Sequence, residues 1–149
     1  MTRAEIVAAA KDWIGTPYRH QASRKGVGTD CLGLIRGVWR ELIGPEPAAL
    51  PPYTADWAEA LQQDTLLDAA RHYLVEVPIG GAEPGDVLLF RIGLGHPAKH
   101  CAIVSDRDRI IHAYWNRAVC ETRLVPWWTR RCAAAFAFPG LESDGVGYG

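Results

Sequence analysis

The chain is poor in sulfur and has no excess of either charge. Four cysteines (Cys31, Cys101, Cys120 and Cys132) and a single methionine stand among 149 residues. The cysteines are irregularly spaced and sit in apolar segments rather than in turns. This excludes the framework of a small disulfide-stapled secreted domain and predicts reduced thiols. Sixteen Lys and Arg nearly cancel seventeen Asp and Glu, so total charge supplies no reason to expect nucleic acid or an anionic membrane as a partner. No apolar run approaches the roughly 20 residues that span a bilayer, and no membrane insertion is expected. The opening MTRAEIVAAAKDWIG lacks the apolar core and small-residue cleavage site of a secretory signal. It predicts synthesis without an export signal of its own.

What is present suffices for one core. With 48% hydrophobic residues, a chain of this size is expected to form a single domain over residues 1–140, with 141–149 as a flexible polar tail. Thr2 and Glu5 have capping-box spacing, and Ile6, Ala9, Ala10, Trp13 and Ile14 fall on one helical face that Gly15 ends. After the loop GTPYRHQASRKGVGTD, apolar residues Leu34, Ile35, Val38, Trp39 and Leu42 predict a helix from Cys31 to Ile43, stopped by Gly44 and Pro45. PEPAALPPYTADW is a proline-rich connector. TADWAEALQQDTLLDAARHYLVEV offers one or two further helices with Asp64 as an internal cap. Beyond Pro78 the apolar period becomes two, in GDVLLFRIG, HCAIVS, RIIHAYW, AVCETRL and CAAAFAF. The expected class is α+β, with N-terminal helices packed on an antiparallel sheet of about five strands.

A thiol at a helix start calls for a chemical reading. Thiolate, the reactive form, is favoured by the positive end of a helix and by a neighbouring imidazole. Cys31 has the first by position. Thr29 or Asp30 can cap the helix, leaving the Cys31 N–H to point at an oxyanion, and Gly26, Gly28 and Gly33 leave room for a substrate backbone. The competing reading is a buried structural cysteine, a common fate of this residue type.

Five histidines are candidates for the partner base. His20 and His72 lack a pattern around them, and His96 lies in the extended loop GLGHPAKH. His100 opens one predicted strand and His112 lies inside the next, so the two can stand side by side on one face about 5 Å apart. Alternation sets His100 with Ala102 and Val104, and His112 with Ile110 and Tyr114, small neighbours that leave room for a cleft. A helix-borne cysteine, a strand-borne histidine and a further polar residue have the triad logic of nucleophile, base and orienting group. A zinc site drawn from His96, His100, Cys101 and His112 is the rival, but sequential His100 and Cys101 point to opposite faces of a strand. Cys101, Cys120 and Cys132 read as small packing residues, and Gly85-Asp86 as a turn entering a strand.

GTPYRH with GTDCLGLIRGVW, then PGDVLLFR, then KHCAIVSDRDRIIHAYW resemble, in that order, elements of the NlpC/p60 family of papain-like cell-wall peptidases. Those elements are the helix-initiating Asp-Cys, the Pro-Gly-Asp strand, and the His-strand with its Ile-His-Ala. The resemblance runs from Gly15 to Trp115. It implies Cys31 as nucleophile, His100 as base and His112 as third member. It also implies Tyr18 on the oxyanion or substrate side, and Asp30 as a group receiving a substrate amine, although Asp30 reads equally well as a helix cap. No cofactor is implied. The implied reaction is hydrolysis of an amide in the peptidoglycan stem peptide, at a D-glutamyl bond to a diamino acid. Arg19, Arg24, Lys25 or Lys99 are available for its carboxylates.

Leu32 stands where many members have serine, and a proline-rich helical insert occupies residues 45–78. The DCLGL form and PPYTADW look more like versions encoded in tailed phages and gene transfer agents. That likeness implies a chain made in the bacterial cytoplasm, carried in a phage-like tail among tail or hub proteins, and acting in the periplasm or cell wall. The competing function is a tail hub or assembly protein that keeps the fold with little activity and docks through Trp127 and Trp128.

Overall fold

The computed structural model of the protein describes residues 1–47, 65–93 and 95–142. Helix α1 (Arg3–Lys11) begins with the expected capping box. Thr2 Oγ1 accepts from Glu5 N–H and Glu5 Oε1 accepts from Thr2 N–H, both at 3.1 Å. The helix ends at Lys11, and turn bonds carry the chain to Gly15 in the left-handed region, φ +92°. That earlier stop splits the expected apolar face. Trp13 is buried, but Ile14 turns outward at 45% exposure.

Helix α2 (Cys31–Leu42) starts and stops close to expectation, with Leu34, Ile35 and Val38 buried. It crosses α1 where Gly37 lies under the Trp13 indole. A Cβ there would meet Trp13 Cζ2 at 2.0 Å, so only glycine permits the approach. The loop before α2 contains a short ribbon, β1 (Ser23–Arg24) paired with β2 (Gly28–Thr29). Helix α3 (Thr65–Tyr73) buries Leu66, Leu67 and Ala70. The expected helix over 54–64 and the Asp64 cap lie outside the described residues, as do most of the proline-rich connector and residues 143–149 of the tail.

The main sheet has six antiparallel strands rather than about five. They are β3 (Val75–Val77), β4 (Val87–Arg91), β5 (Ala98–Asp106), β6 (Arg109–His112), β7 (Cys120–Arg123) and β8 (Cys132–Ala137). Their order is β3-β8-β4-β5-β6-β7. The extra strand is Val75–Val77, which reads locally as the end of a helical stretch but is drawn into the edge by pairing with Ala135–Ala137. Because β8 inserts between β3 and β4, only β4 to β7 form a meander. Strand alternation gives two buried faces. Val87, Leu89, Cys101, Ile103, Ile111 and Phe136 meet the helices. Leu88, Phe90, Ala102, Val104, Ile110 and Ala135 meet Trp128, from the short helix α4 (Pro126–Thr129). Gly85-Asp86 makes the expected turn into β4, with Asp86 N–H bonded to Glu83 O at 3.0 Å, and the Asp86 side chain is buried as well. It accepts from Arg3 Nη1 at 2.7 Å and from Glu83 N–H at 2.8 Å, tying α1 to the start of β4.

Gly37→Ala is expected to lower unfolding stability by about 1–3 kcal/mol, the range for overpacking a dense core. The strain at Trp13 outweighs the better helix propensity of alanine. Denaturant unfolding of the two chains checks this.

Candidate active site

The site begins with a carboxylate. Asp30 caps α2, its Oδ1 accepting from Gly33 N–H and its Oδ2 from Gln21 N–H, each at 2.7 Å. Asp30 is buried, and His20 Nδ1 stands 4.0 Å from Oδ2. Of its two sequence readings, the geometry shows the cap: both oxygens serve the backbone that presents Cys31. Ser23 Oγ adds a 2.6 Å bond to Gly33 O, binding the ribbon to the same first turn.

Cys31, the first residue of α2, is partly buried against β5, with Sγ 4.0 Å from Lys99 O. Its pKa is lowered to about 5. The largest cause is a hydrogen bond from the Cys101 thiol. Burial opposes it, and a hydrogen bond and positive charge from His100 add to it, against the Asp30 charge. Anion-favouring backbone N–H groups at the helix start act in the same direction.

His100 and His112 meet through a 2.8 Å bond between His100 Nε2 and His112 Nδ1. With Ile103 opposite Ile111, the two histidines stand diagonally across β5 and β6, ring centroids 5.1 Å apart. Since His100 Nε2 is committed to His112, its Nδ1 is the nitrogen left for the Cys31 sulfur. His112 Nε2 lies 3.0 Å from Thr122 Oγ1 on β7. Burial, followed by the nearby charge of His100, pushes the His112 pKa down to about 3. His112 is therefore neutral at working pH. With its proton at Nε2 toward Thr122, a neutral His112 can accept at Nδ1 from His100 Nε2–H.

Among the described residues, the sheet face expected to open a cleft beside these histidines is filled. His100 and His112 are 5% and 3% exposed, because Trp128 covers them with ring centroids 5.1 and 5.2 Å away. Tyr114 and Phe90 complete the lid, at 5.2 and 5.9 Å from His100. The alternation pattern was right about the face, but α4 fills it. Trp128 is thus core, whereas Trp127 is 41% exposed under the Arg131 guanidinium, 3.7 Å from its ring centroid.

Tyr18 lies beside the ribbon, bridged to Thr29, with its ring 5.8 Å from that of half-exposed Trp115. Burial, then the charges of Cys31 and Asp30, raise its pKa to about 12. Its hydroxyl keeps its proton and can donate. Lys25 is engaged with Glu41 at 3.2 Å. His72 packs on Tyr73, and the His96 ring lies over Gly93; neither joins the His100–His112 pair.

Three contributors escaped the sequence reading. Thr122 shares the face of Ile110, its partner across β6 and β7, a signal available only once register is known. Cys101 packs in the helix-side core as expected, and beyond that its thiol lowers the pKa of Cys31. Its alternation away from His100 is what aims it at the helices. Trp128 had no local signal beyond being half of a tryptophan pair.

A helix-borne thiol against a strand-borne imidazole, on an antiparallel sheet backed by helices, defines a papain-like domain. The NlpC/P60 family model matches residues 15–136, and the chain belongs to that family. It is 26% identical over 124 residues to the probable endopeptidase NlpC of Escherichia coli (strain K12), covering 80% of this chain and 69% of that protein. The fold is similar to the NlpC/p60 domain of the peptidoglycan hydrolase SagA, with a TM-score of 0.64 and 24% identity over 93% of this chain and 100% of that one. It is also similar to the peptidoglycan hydrolase RipB of Mycobacterium tuberculosis, with a TM-score of 0.63 and 16% identity over 95% and 66% of the two chains.

Two outcomes follow from the electrostatics. The alkylation rate of Cys31 by iodoacetamide, followed against pH by peptide mass, should rise with a midpoint of about 5, far below the ~8.5 of an unperturbed thiol. Trp128→Ala should admit water to the dyad and raise the His112 pKa from about 3 toward the ordinary ~6.5 of histidine. NMR titration reads that shift, with a stability loss of about 3–5 kcal/mol alongside it.

Proposed function

We propose that the protein is a cysteine peptidase acting on peptidoglycan stem peptides, at the D-glutamyl bond to a diamino acid, through a domain spanning residues 1–140. The observation that carries this reading is the placement of Cys31 at the start of α2 against β5, beside a His100 whose Nε2 is bound by His112 at 2.8 Å; the lowering of the Cys31 pKa to about 5 supports it. Family membership and the endopeptidase description of the E. coli relative support the substrate class. In this scheme the Cys31 thiolate attacks the amide carbonyl. Its charge passes to an oxyanion facing the Cys31 N–H and the Tyr18 hydroxyl, and protonated His100 gives its Nδ1 proton to the leaving amine. Water then attacks the thioester while neutral His100 takes its proton, restoring the thiolate and imidazolium. His112 holds the His100 ring and accepts from its Nε2–H throughout, and Thr122 holds His112.

We also propose carriage in a phage or gene-transfer-agent tail, which would bring a cytoplasmically made chain to the wall in company with tail or hub proteins. The DCLGL and PPYTADW segments support that reading. A hub role with little activity is the second reading, favoured by exposed Trp127. Digestion of purified peptidoglycan separates the two. The wild-type chain should release fragments ending in a free D-glutamyl carboxylate, and Cys31→Ala should reduce release by about a thousandfold or more. Equal digestion by both chains would remove the peptidase assignment, and no digestion by either would favour the hub.

A further inference from the structure

Cys101 is the only fully buried member of the four cysteines, none of which is disulfide-bonded. It sits on the helix side of the sheet, in the apolar cluster against which Cys31 packs. β5 lies against the start of α2, with the Lys99 carbonyl, two residues before Cys101, 4.0 Å from the Cys31 sulfur, and the two thiols are close enough that each shifts the other's ionisation. The other two thiols are elsewhere. Cys132 packs on the Trp128 side, and Cys120 pairs with His112 across β6 and β7. The helix start therefore carries an adjacent, enclosed second thiol that hydrolysis by itself does not need.

We propose that Cys31 and Cys101 form a reversible disulfide when the protein meets hydrogen peroxide, switching the nucleophile off and sparing it from irreversible oxidation. The Cys31 thiolate attacks one peroxide oxygen and the O–O bond breaks. Sulfur is oxidised by two electrons to the sulfenic acid, and the departing hydroxide leaves as water with the proton from His100. Cys101 sulfur then attacks the Cys31 sulfur, forming the S–S bond. The sulfenic oxygen leaves as a second water with the Cys101 proton. Overall, two thiols and one peroxide give one disulfide and two waters, and a dithiol reductant reverses the change.

The two sulfurs divide these roles by environment. Cys31 is partly exposed and thiolate-prone, which makes it the peroxide-reactive one. Cys101 is buried and its pKa is raised well above the usual thiol range, firstly by the Cys31 hydrogen bond. It is sheltered from oxidant yet lies in the cluster against which Cys31 packs.

Peroxide treatment of the full chain, followed by non-reducing peptide mapping, tests this. The expected product is a cross-link between the peptides bearing Cys31 and Cys101, with a mass loss of two hydrogens, and dithiothreitol should return Cys31 to alkylation. In Cys101→Ser and in Cys101→Val, Cys31 should instead gain two or three oxygens and not recover. The proposal is overturned if wild-type Cys31 goes directly to those higher oxides with Cys101 still alkylatable. A Cys31 link to Cys120 or Cys132 overturns it equally. The mapping needs no substrate, so it stands or falls separately from wall hydrolysis; only the loss of activity on oxidation rests on the proposed function.

Discussion

The buried carboxylate of Asp30 is the constraint on which the site depends. It is held in the fold by accepting backbone N–H groups from Gln21 and Gly33, one from the loop before the helix and one from the helix's first turn. Bonds to a charged group of this kind are worth about 1.5–3 kcal/mol each, and here they set the direction in which α2 leaves its ribbon. That direction brings Cys31 onto β5. Without it the thiol would remain at a helix start, but with no imidazole in reach.

The sheet then acts as a partition with the histidine and the second thiol on either side. Cys101 belongs to the helix face and His100 to the face closed by Trp128. At the level of Phe90 both neighbours of β4 carry an extra residue, Lys99 in β5 and Ala133 in β8. Such bulges bend a strand and re-aim its side chains. This one immediately precedes His100, where β5 must serve a sulfur on the helix side and a histidine on the other.

Charge is arranged to move in one direction only. Burial keeps His112 neutral, and the neighbouring His100 favours the Cys31 thiolate. A carboxylate in the third position would bind a positive charge on His100 more strongly. A neutral imidazole anchored by Thr122 orients the ring without placing a negative charge beside it. Trp128 supports this state by excluding water, since a hydrated His112 could itself take a proton and compete for charge.

Some of this is legible in the sequence because it is local. The Thr2–Glu5 capping box, the start of α2 at Asp30-Cys31 and the strands of the β4–β7 meander depend on neighbours a few residues away, and periodicity or cap chemistry reveals them. The shared face of His100 and His112 also follows from alternation, given that their strands are adjacent. Val75–Val77 is different: three residues gain strand geometry only from an edge formed sixty residues later by β8. The same is true of Thr122, Cys101 and Trp128. Their roles depend on register, on what covers each face and on where a short helix lands. By itself the sequence determined the local elements and the chemical types available, because these arise from short-range backbone and side-chain preferences. Only the tertiary structure decided which thiol, imidazole, hydroxyl and indole meet, because that follows from long-range pairing and packing that no local pattern encodes.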